Sequence, residues 1–330
     1  MSHNEAIPIT SSELGYLWTG YSINEMAKWY LTTFAEHAKD PEIKAVVVLA
    51  LDISNDILGK RSTFLPKEGY PLPFGFNQED IDMNASPLFT DRFLSFYLLV
   101  SSRLGLAFHS KSLALSTRED IRAHHFYCLQ VTFQLFTKVS DTALNKGLYW
   151  RTPTLPAPSH PEKIQKVSYL NGWFEDTRPL NSIEMGNLYS ILDLLIVINT
   201  ICTGFAQTTT SNDLKNLFIE GSEIAQGQFN ELAETLKKDD LPLPPTFSTE
   251  ITTSNNRVFS DRIMLCHVVG LFGSLISTSG FSLGAVMKHN LVGIYSKLIA
   301  DSGKYSEKIT KILIEKEWLE KVPGAISREV

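Results

Sequence analysis

Long segments rich in apolar residues run along the chain, each opened by a helix-start signal, and nowhere is there a long strict alternation of apolar and polar positions. The first segment opens at Thr10-Ser11-Ser12-Glu13, where an oxygen-bearing cap is followed three residues later by a glutamate, and runs to about His37. Asp40-Pro41 breaks it and starts a second helix, because proline suits a first helical turn; this helix runs to about Leu65. Thr90, followed by Asp91 at the positive helix end, caps a third. Ser116-Thr117-Arg118-Glu119 reads as another capping box and opens a fourth helix that ends near Gly147.

The same order then returns. Residues 9–76 lie over 180–247 at a constant offset of 171, with Ser11/Ser182, Glu13/Glu184, Gly15/Gly186 and Leu17/Leu188 at the start and Pro71-Leu72-Pro73 over Pro242-Leu243-Pro244 at the end. After a slip of one residue, Phe89-Thr90-Asp91-Arg92 falls on Phe259-Ser260-Asp261-Arg262. The chain therefore reads as a tandem duplication.

Connection lengths give the expected topology. Few residues join helices one to two and three to four, so each pair is an antiparallel hairpin. Residues 67–88 and 238–258, with the repeated Pro-Leu-Pro, separate the two hairpins of each copy. A helix of about 25 residues is about 37 Å long, and twenty extended residues reach about 66 Å, enough to return along the bundle. One long crossover between two hairpins is the ferritin-like arrangement. The expectation is an all-α chain: a ferritin-like four-helix bundle over residues 1–150, a Pro-rich linker over 151–179 docked through Tyr169, Trp173 and Phe174, and a second bundle over 180–330.

Two stretches, 263–287 without any Asp, Glu, Lys or Arg and 185–212 with only Asp193, are long enough to cross a membrane. Their counterparts in the first copy carry Arg103 and Lys111, and Glu25, Lys28, Glu36 and Lys39, and two copies of one fold are not expected in different solvents. The stretches read instead as unusually buried helices one and three of the second copy, able to form one apolar face for a protein partner or a second chain.

Composition narrows the classes further. Thirty Lys and Arg against thirty-six Asp and Glu leave a net charge of −6, which argues against a nucleic-acid partner. Three separated cysteines, Cys128, Cys202 and Cys266, form no disulfide scaffold or zinc module and fit a reducing, cytoplasmic setting. The opening residues lack the basic and apolar regions of a signal peptide.

Thr10-Ser-Ser-Glu-Leu, Leu72-Pro-Phe-Gly-Phe76, Leu88-Phe-Thr-Asp-Arg92, Leu113-Ala-Leu-Ser-Thr-Arg118, Asn171-Gly-Trp-Phe174, Arg178-Pro-Leu-Asn181, Asp240-Leu-Pro-Leu-Pro244 and Phe259-Ser-Asp-Arg262 together resemble a domain-of-unknown-function family of tandem ferritin-like bundles from endospore-forming bacteria. The resemblance implies the fold, the duplication and a sporulating host, and no activity. Relatives often carry a histidine late in the second helix, where this chain has Ile57 and Gln228, while His267 matches a histidine of the family's second copy.

A di-iron site needs Glu-x-x-His on two helices, and the chain has none. Asp52 and Glu223 occupy matching positions, and Glu13 and Glu184 are explained as caps. His109 lies about seven residues before the turn between helices three and four and His124 and His125 about eight after it, which puts His109 level with one of the other two. Non-standard metal ligands are therefore sought among His109, His124, His267 and Asp52, with a hydrogen-bonded structural pair as the plainer reading. Gly280-Phe-Ser282-Leu-Gly284 has the nucleophile-elbow spacing but falls in a predicted helical hairpin, where small residues allow close packing. The Pro-Leu-Pro crossovers, with Tyr70, Phe74, Phe76 and Phe247, either dock a partner or pin their own loop. The reading is a non-enzymatic structural or interaction protein without a cofactor; the alternatives are a metal-binding or redox bundle and a small-molecule carrier with an apolar pocket in the second copy.

Overall fold

A computed structural model describes residues 7–171 and 178–326. Among these residues the protein is all-helical, with no strand and a single isolated antiparallel bridge between Ile81 and Phe259. Eight long helices fall into two runs of four: α1 (Ser11–His37), α2 (Pro41–Arg61), α4 (Asp91–Ala114) and α5 (Glu119–Asn145), then α6 (Ser182–Thr208), α7 (Asn212–Lys238), α8 (Asp261–Ala285) and α9 (His289–Glu315); a single turn, α3 (Phe64–Lys67), follows α2.

The chain divides into two compact units. The first takes the chain up to Tyr149 together with Thr252–Ile263 and the chain from Ile314. In it α1 packs on α2, α4 on α5, and α2 on both α4 and α5. Both hairpin turns are tied by side chains from the opposite hairpin. At one end the Asp91 carboxylate accepts the backbone N–H groups of Lys39 and Asp40, while Lys146 pairs with Asp40 at 2.8 Å. At the other end Glu13 completes a capping box with Thr10, and its Oε1 accepts N–H bonds from Thr117 (2.7 Å) and Arg118 (2.8 Å) in the α4–α5 turn. The Ser116–Glu119 capping box is thus not how α5 starts: Arg118 is the N-cap and makes no side-chain cap bond, the Ser116 hydroxyl donates back to the Ser112 carbonyl, and the Ile121 N–H is met by Asp120.

Helix α2 stops at Arg61 rather than near Leu65. The Ser62 and Thr63 hydroxyls donate back to the Gly59 and Lys60 carbonyls, which competes with the helical ladder, and Pro66 has no N–H to continue it. In the first crossover, Tyr70 joins a cluster of Leu14, Leu17, Trp18, Leu65 and Ile121. Asp80 accepts from the Ser260 hydroxyl at 2.6 Å and pairs with Arg262 at 2.9 Å, and the Phe259 ring packs on Tyr30 with centroids 4.3 Å apart. Residues 252–263, which lead into the third helix of the second run and form its first three residues, are thereby integral to the first unit.

The second unit comprises Trp150–Ile251 and Met264–Leu313. Helix α6 is its core: nineteen of its residues are buried, from Glu184 to Thr208. Glu184 repeats the part of Glu13, completing a capping box with Asn181 and accepting N–H bonds from Met287 and Lys288 before α9. Of the docking contacts expected for the linker, Tyr169 is stacked by the Arg178 guanidinium at 3.8 Å, residues 151–166 are almost all exposed, and Trp173 and Phe174 lie outside the described residues.

Helices α7 and α9 meet where the Tyr305 hydroxyl donates to the Leu217 carbonyl at 2.7 Å. Gly221 makes the room, since a Cβ there would stand 2.3 Å from the Tyr305 oxygen. In an open helix interior Gly→Ala stabilises by about 1 kcal/mol. Here Gly221→Ala is expected to destabilise the second unit by about 2 kcal/mol through overpacking and loss of the Tyr305 bond. Urea denaturation of the single and the Gly221→Ala/Tyr305→Phe variants checks this: removing the oxygen should recover part of the loss, and a stabilised single variant would contradict the contact.

Candidate functional site

The most unusual chemistry in the described residues lies in the first unit, where the end of α2 meets the α4–α5 hairpin. Arg61, the last residue of α2, is fully buried. Its Nε donates to His124 Nε2 at 3.3 Å and its Nη2 lies 3.8 Å from Cys128 Sγ, while Nη1 has no hydrogen-bond partner. The Cys128 sulfur is itself 3.5 Å from His124 Nε2. Gly20 on α1 makes space for the guanidinium, because a Cβ there would stand 2.1 Å from Nη1. Among the described residues, burial and Cys128 are the influences on this guanidinium, and no carboxylate pairs with it.

His109, His124 and His125 are all buried around it. Burial lowers the His124 imidazole first, and Arg61, His125, His109 and Lys60 push it further, to about 2. Burial, Arg61 and His125 bring His109 to about 3. Burial and Arg61 bring His125 to about 4 against an upward pull from Glu13. All three are neutral at ordinary pH. Burial pushes the Cys128 thiol above its ordinary value, and the charge and hydrogen bond of Arg61 offset only part of that rise. Burial likewise presses the guanidinium toward neutrality, opposed by Cys128.

An open cleft of about 630 Å³ adjoins the cluster, lined by residues that include Asp56, Lys60, Phe64, Asp120, His124 and Tyr127. That is within the range of about 300–1,000 Å³ typical of ligand sites. The Phe64 ring packs on His124 with centroids 5.0 Å apart, so His124 stands between the cleft and the sulfur. Asp56 accepts from the Tyr127 hydroxyl at 2.6 Å and pairs with Lys60, which sits over the Tyr127 ring.

The residues singled out in the sequence fare differently. His109 and His124 do come together, and His125 joins them although it is adjacent in sequence to His124. Helix α5 is packed by α2 and by α4, so two of its faces are internal. His267 is buried in the second unit against Phe205, with ring centroids 6.2 Å apart. Asp52 and Glu223 are exposed on α2 and α7. Among the described residues no group of three or more His, Cys, Asp or Glu side chains is placed to hold a metal ion. At His109 and His124 the neighbouring charge is a guanidinium, which disfavours a cation.

The remaining candidates resolve into structure. Ser282 of the elbow-like sequence lies inside α8 and its hydroxyl donates to the Thr278 carbonyl. Phe76 lies under the Arg262 guanidinium at 4.5 Å and Phe247 is buried, whereas Phe74 is 93% exposed. A gap lined by Leu195, Ile196, Asn199, Phe229 and Phe247 in the second unit measures about 10 Å³, too little for a carried molecule. Sequence reasoning missed Arg61 and Cys128. The detectable signal was an exchange of size at the 171-residue offset: Gly20 and Arg61 correspond to Ile191 and Leu232, both buried.

The model of the family described as "Protein of unknown function (DUF3231)" matches residues 2–160 and, a second time, residues 168–330. The chain belongs to this family. The double match bears out the duplication, each DUF3231 copy supplying four long helices. A search of curated proteins finds no match. Among solved structures, a candidate spore coat protein from Bacillus halodurans C-125 is 22% identical, with a TM-score of 0.40 over 48% of this chain and 100% of that one. The DUF3231 assignment carries no activity, so function must be argued from the residues themselves.

Proposed function

We propose that this DUF3231 chain is a non-enzymatic structural or interaction protein, built of two ferritin-like four-helix bundles, that associates with a second copy of itself through α8. The observation carrying this reading is the character of that helix. No Asp, Glu, Lys or Arg lies between Arg262 and Lys288. Both α6 and α8 are long and apolar enough to cross a membrane, yet only α6 has most of its apolar window buried (83%, against 50% for α8). The exposed side of α8 is made of Gly270, Gly273, Ser277, Gly280, Phe281 and Gly284. The Ser274 and Ser277 hydroxyls donate to the Gly270 and Gly273 carbonyls of their own helix, which leaves a smooth surface without unmet donors. Such a strip lets two helices approach closely. The partner is read as protein, not nucleic acid or membrane, and the setting as the cytoplasm of a sporulating host, on the strength of the family resemblance and of cysteines that form no disulfide.

Ser277→Lys places a charge in the middle of the exposed strip without touching the buried side. Analytical ultracentrifugation is expected to find the wild-type chain as a concentration-dependent dimer and the variant as a monomer of unchanged helicity. A monomeric wild type, or flotation of the wild type with neutral lipid vesicles, would sink the reading.

A further inference from the structure

The Arg61 cluster has no role in the association just described, and the fold does not require it. At an offset of 171 the second copy has Leu232 for Arg61, and at 170, after the one-residue slip, Ile294 for His124 and Leu298 for Cys128, with Leu232 and Leu298 buried. One copy of the unit thus fills this place with aliphatic side chains. The other keeps a fully buried guanidinium there and gives up a side chain at position 20 to admit it.

A buried charge has to be paired, and arginine cannot escape by losing its proton. Arg61 touches two groups, the His124 imidazole and the Cys128 thiol. His124 accepts from Nε and can only become a second cation. Cys128 is the one neighbour able to carry a negative charge. The cost that raises a buried thiol is that of an isolated anion. Here the alternative is an isolated cation, and forming the pair relieves both. A donor is already placed, with Nη2 directed at the sulfur at 3.8 Å.

We propose that Cys128 is a thiolate held by Arg61 and is the site at which a small peroxide oxidises this chain. The sulfur lone pair attacks one peroxide oxygen; the S–O bond forms as the O–O bond breaks, sulfur is oxidised by two electrons, and hydroxide departs and takes a proton from solvent. The product is a sulfenic acid, whose anion retains Arg61 as counter-ion. His124 lines the open cleft and its Nε2 is 3.5 Å from the sulfur, so a single ring separates oxidant from thiolate. The sulfur itself is fully buried, so a reagent reaches it only through local movement of the side chains between it and the cleft, which favours the smallest oxidants.

The test uses the full chain, with Cys202 and Cys266 as internal references. Ultraviolet thiolate absorbance at neutral pH is compared between wild type, Cys128→Ser and Arg61→Met. Hydrogen peroxide is then applied, and each cysteine is assayed by unfolding in the presence of a sulfenic-acid trap followed by peptide mass spectrometry. The wild type should carry one thiolate more than Cys128→Ser, and Cys128 should oxidise about tenfold or more faster than either reference, an advantage lost in Arg61→Met. Equal absorbance in wild type and Cys128→Ser overturns the thiolate, and oxidation of Cys128 no faster than the references overturns the peroxide assignment. The serine comparison decides the first point even where Arg61→Met does not fold.

Discussion

Glu13→Ala is expected to destabilise the first unit by about 3–5 kcal/mol, the largest effect of any single truncation outside its apolar core. The carboxylate is 1% exposed and makes four bonds: Oε2 accepts the Thr10 N–H at 2.7 Å, and Oε1 accepts the Thr117 N–H, the Thr117 hydroxyl and the Arg118 N–H. Its burial alone would raise the carboxyl, but the N–H bonds from Arg118, Thr10 and Thr117 prevail and hold it at about 2. Alanine leaves the Thr10 cap but removes the return bond to the Thr10 N–H, and it strands that donor and two more in the α4–α5 turn at about 1–3 kcal/mol each. The turn also orients Arg118, which pairs with Glu68 and, through two bonds, with Asp120. Glu13→Gln should lose less, because its amide oxygen still accepts from the turn while its NH₂ faces the Thr10 donor. Urea denaturation followed by hydrogen exchange at Thr117 and Arg118 checks both variants. A loss below about 1 kcal/mol for alanine, with those amides still protected, would show that solvent replaces the carboxylate.

The same glutamate marks how far the sequence could be read. Thr10-Ser-Ser-Glu and Asn181-Ser-Ile-Glu announce two helix starts because a capping box is local: donor, acceptor and spacing lie within four residues. The second task of each glutamate, holding a turn 104 residues away, has no local signature. Nor has the end of α2, where two hydroxyls one and two residues beyond Arg61 and a proline five beyond it outvote the apolar pattern that suggests Leu65. The histidines were visible as a level across one hairpin, since His109 and His124 belong to adjacent helices of known connection. Arg61 and Cys128 were not, because the register of α2 against α5 depends on the crossover and on packing. The exchange of Gly20 and Arg61 for Ile191 and Leu232 records that packing in the sequence, and it is intelligible only when both positions are known to touch.

Acid should unfold the first unit well before the second. His109, His124 and His125 are at most 6% exposed and are held at about 3, about 2 and about 4, against an ordinary value of 6.5 in the unfolded chain. A folded-state value below the unfolded one means that the unfolded chain binds more protons between the two. The contribution of each histidine is therefore intact above about pH 6.5 and is lost as pH falls below it. Each fully buried neutral histidine withdraws about 1.4 kcal/mol per pH unit, so the three together withdraw about 4 kcal/mol per unit. From pH 6.5 to 5 the loss is about 5 kcal/mol, comparable with the whole stability of many domains. Of the charges facing them, Arg61 acts on all three and Lys60 on His124 in the same direction, while Glu13 at His125 and the Cys128 thiolate proposed above, 3.5 Å from His124 Nε2, oppose it. Glu13, held at about 2, begins to withdraw its own share only below its ordinary value of 4.5, in the same direction. In the second unit burial holds His267 at about 3, which supplies about a third of that slope. Hydrogen exchange followed by mass spectrometry between pH 7 and 4 is expected to show peptides of α4 and α5 losing protection first, near pH 5, with those of α6 and α7 following at lower pH. His125→Phe, which removes one titrating ring and keeps an aromatic of similar size, should move the first transition down by several tenths of a pH unit. A first transition that ignores this substitution would mean that the histidines protonate without opening the unit, and that Arg61 tolerates a second cation beside it.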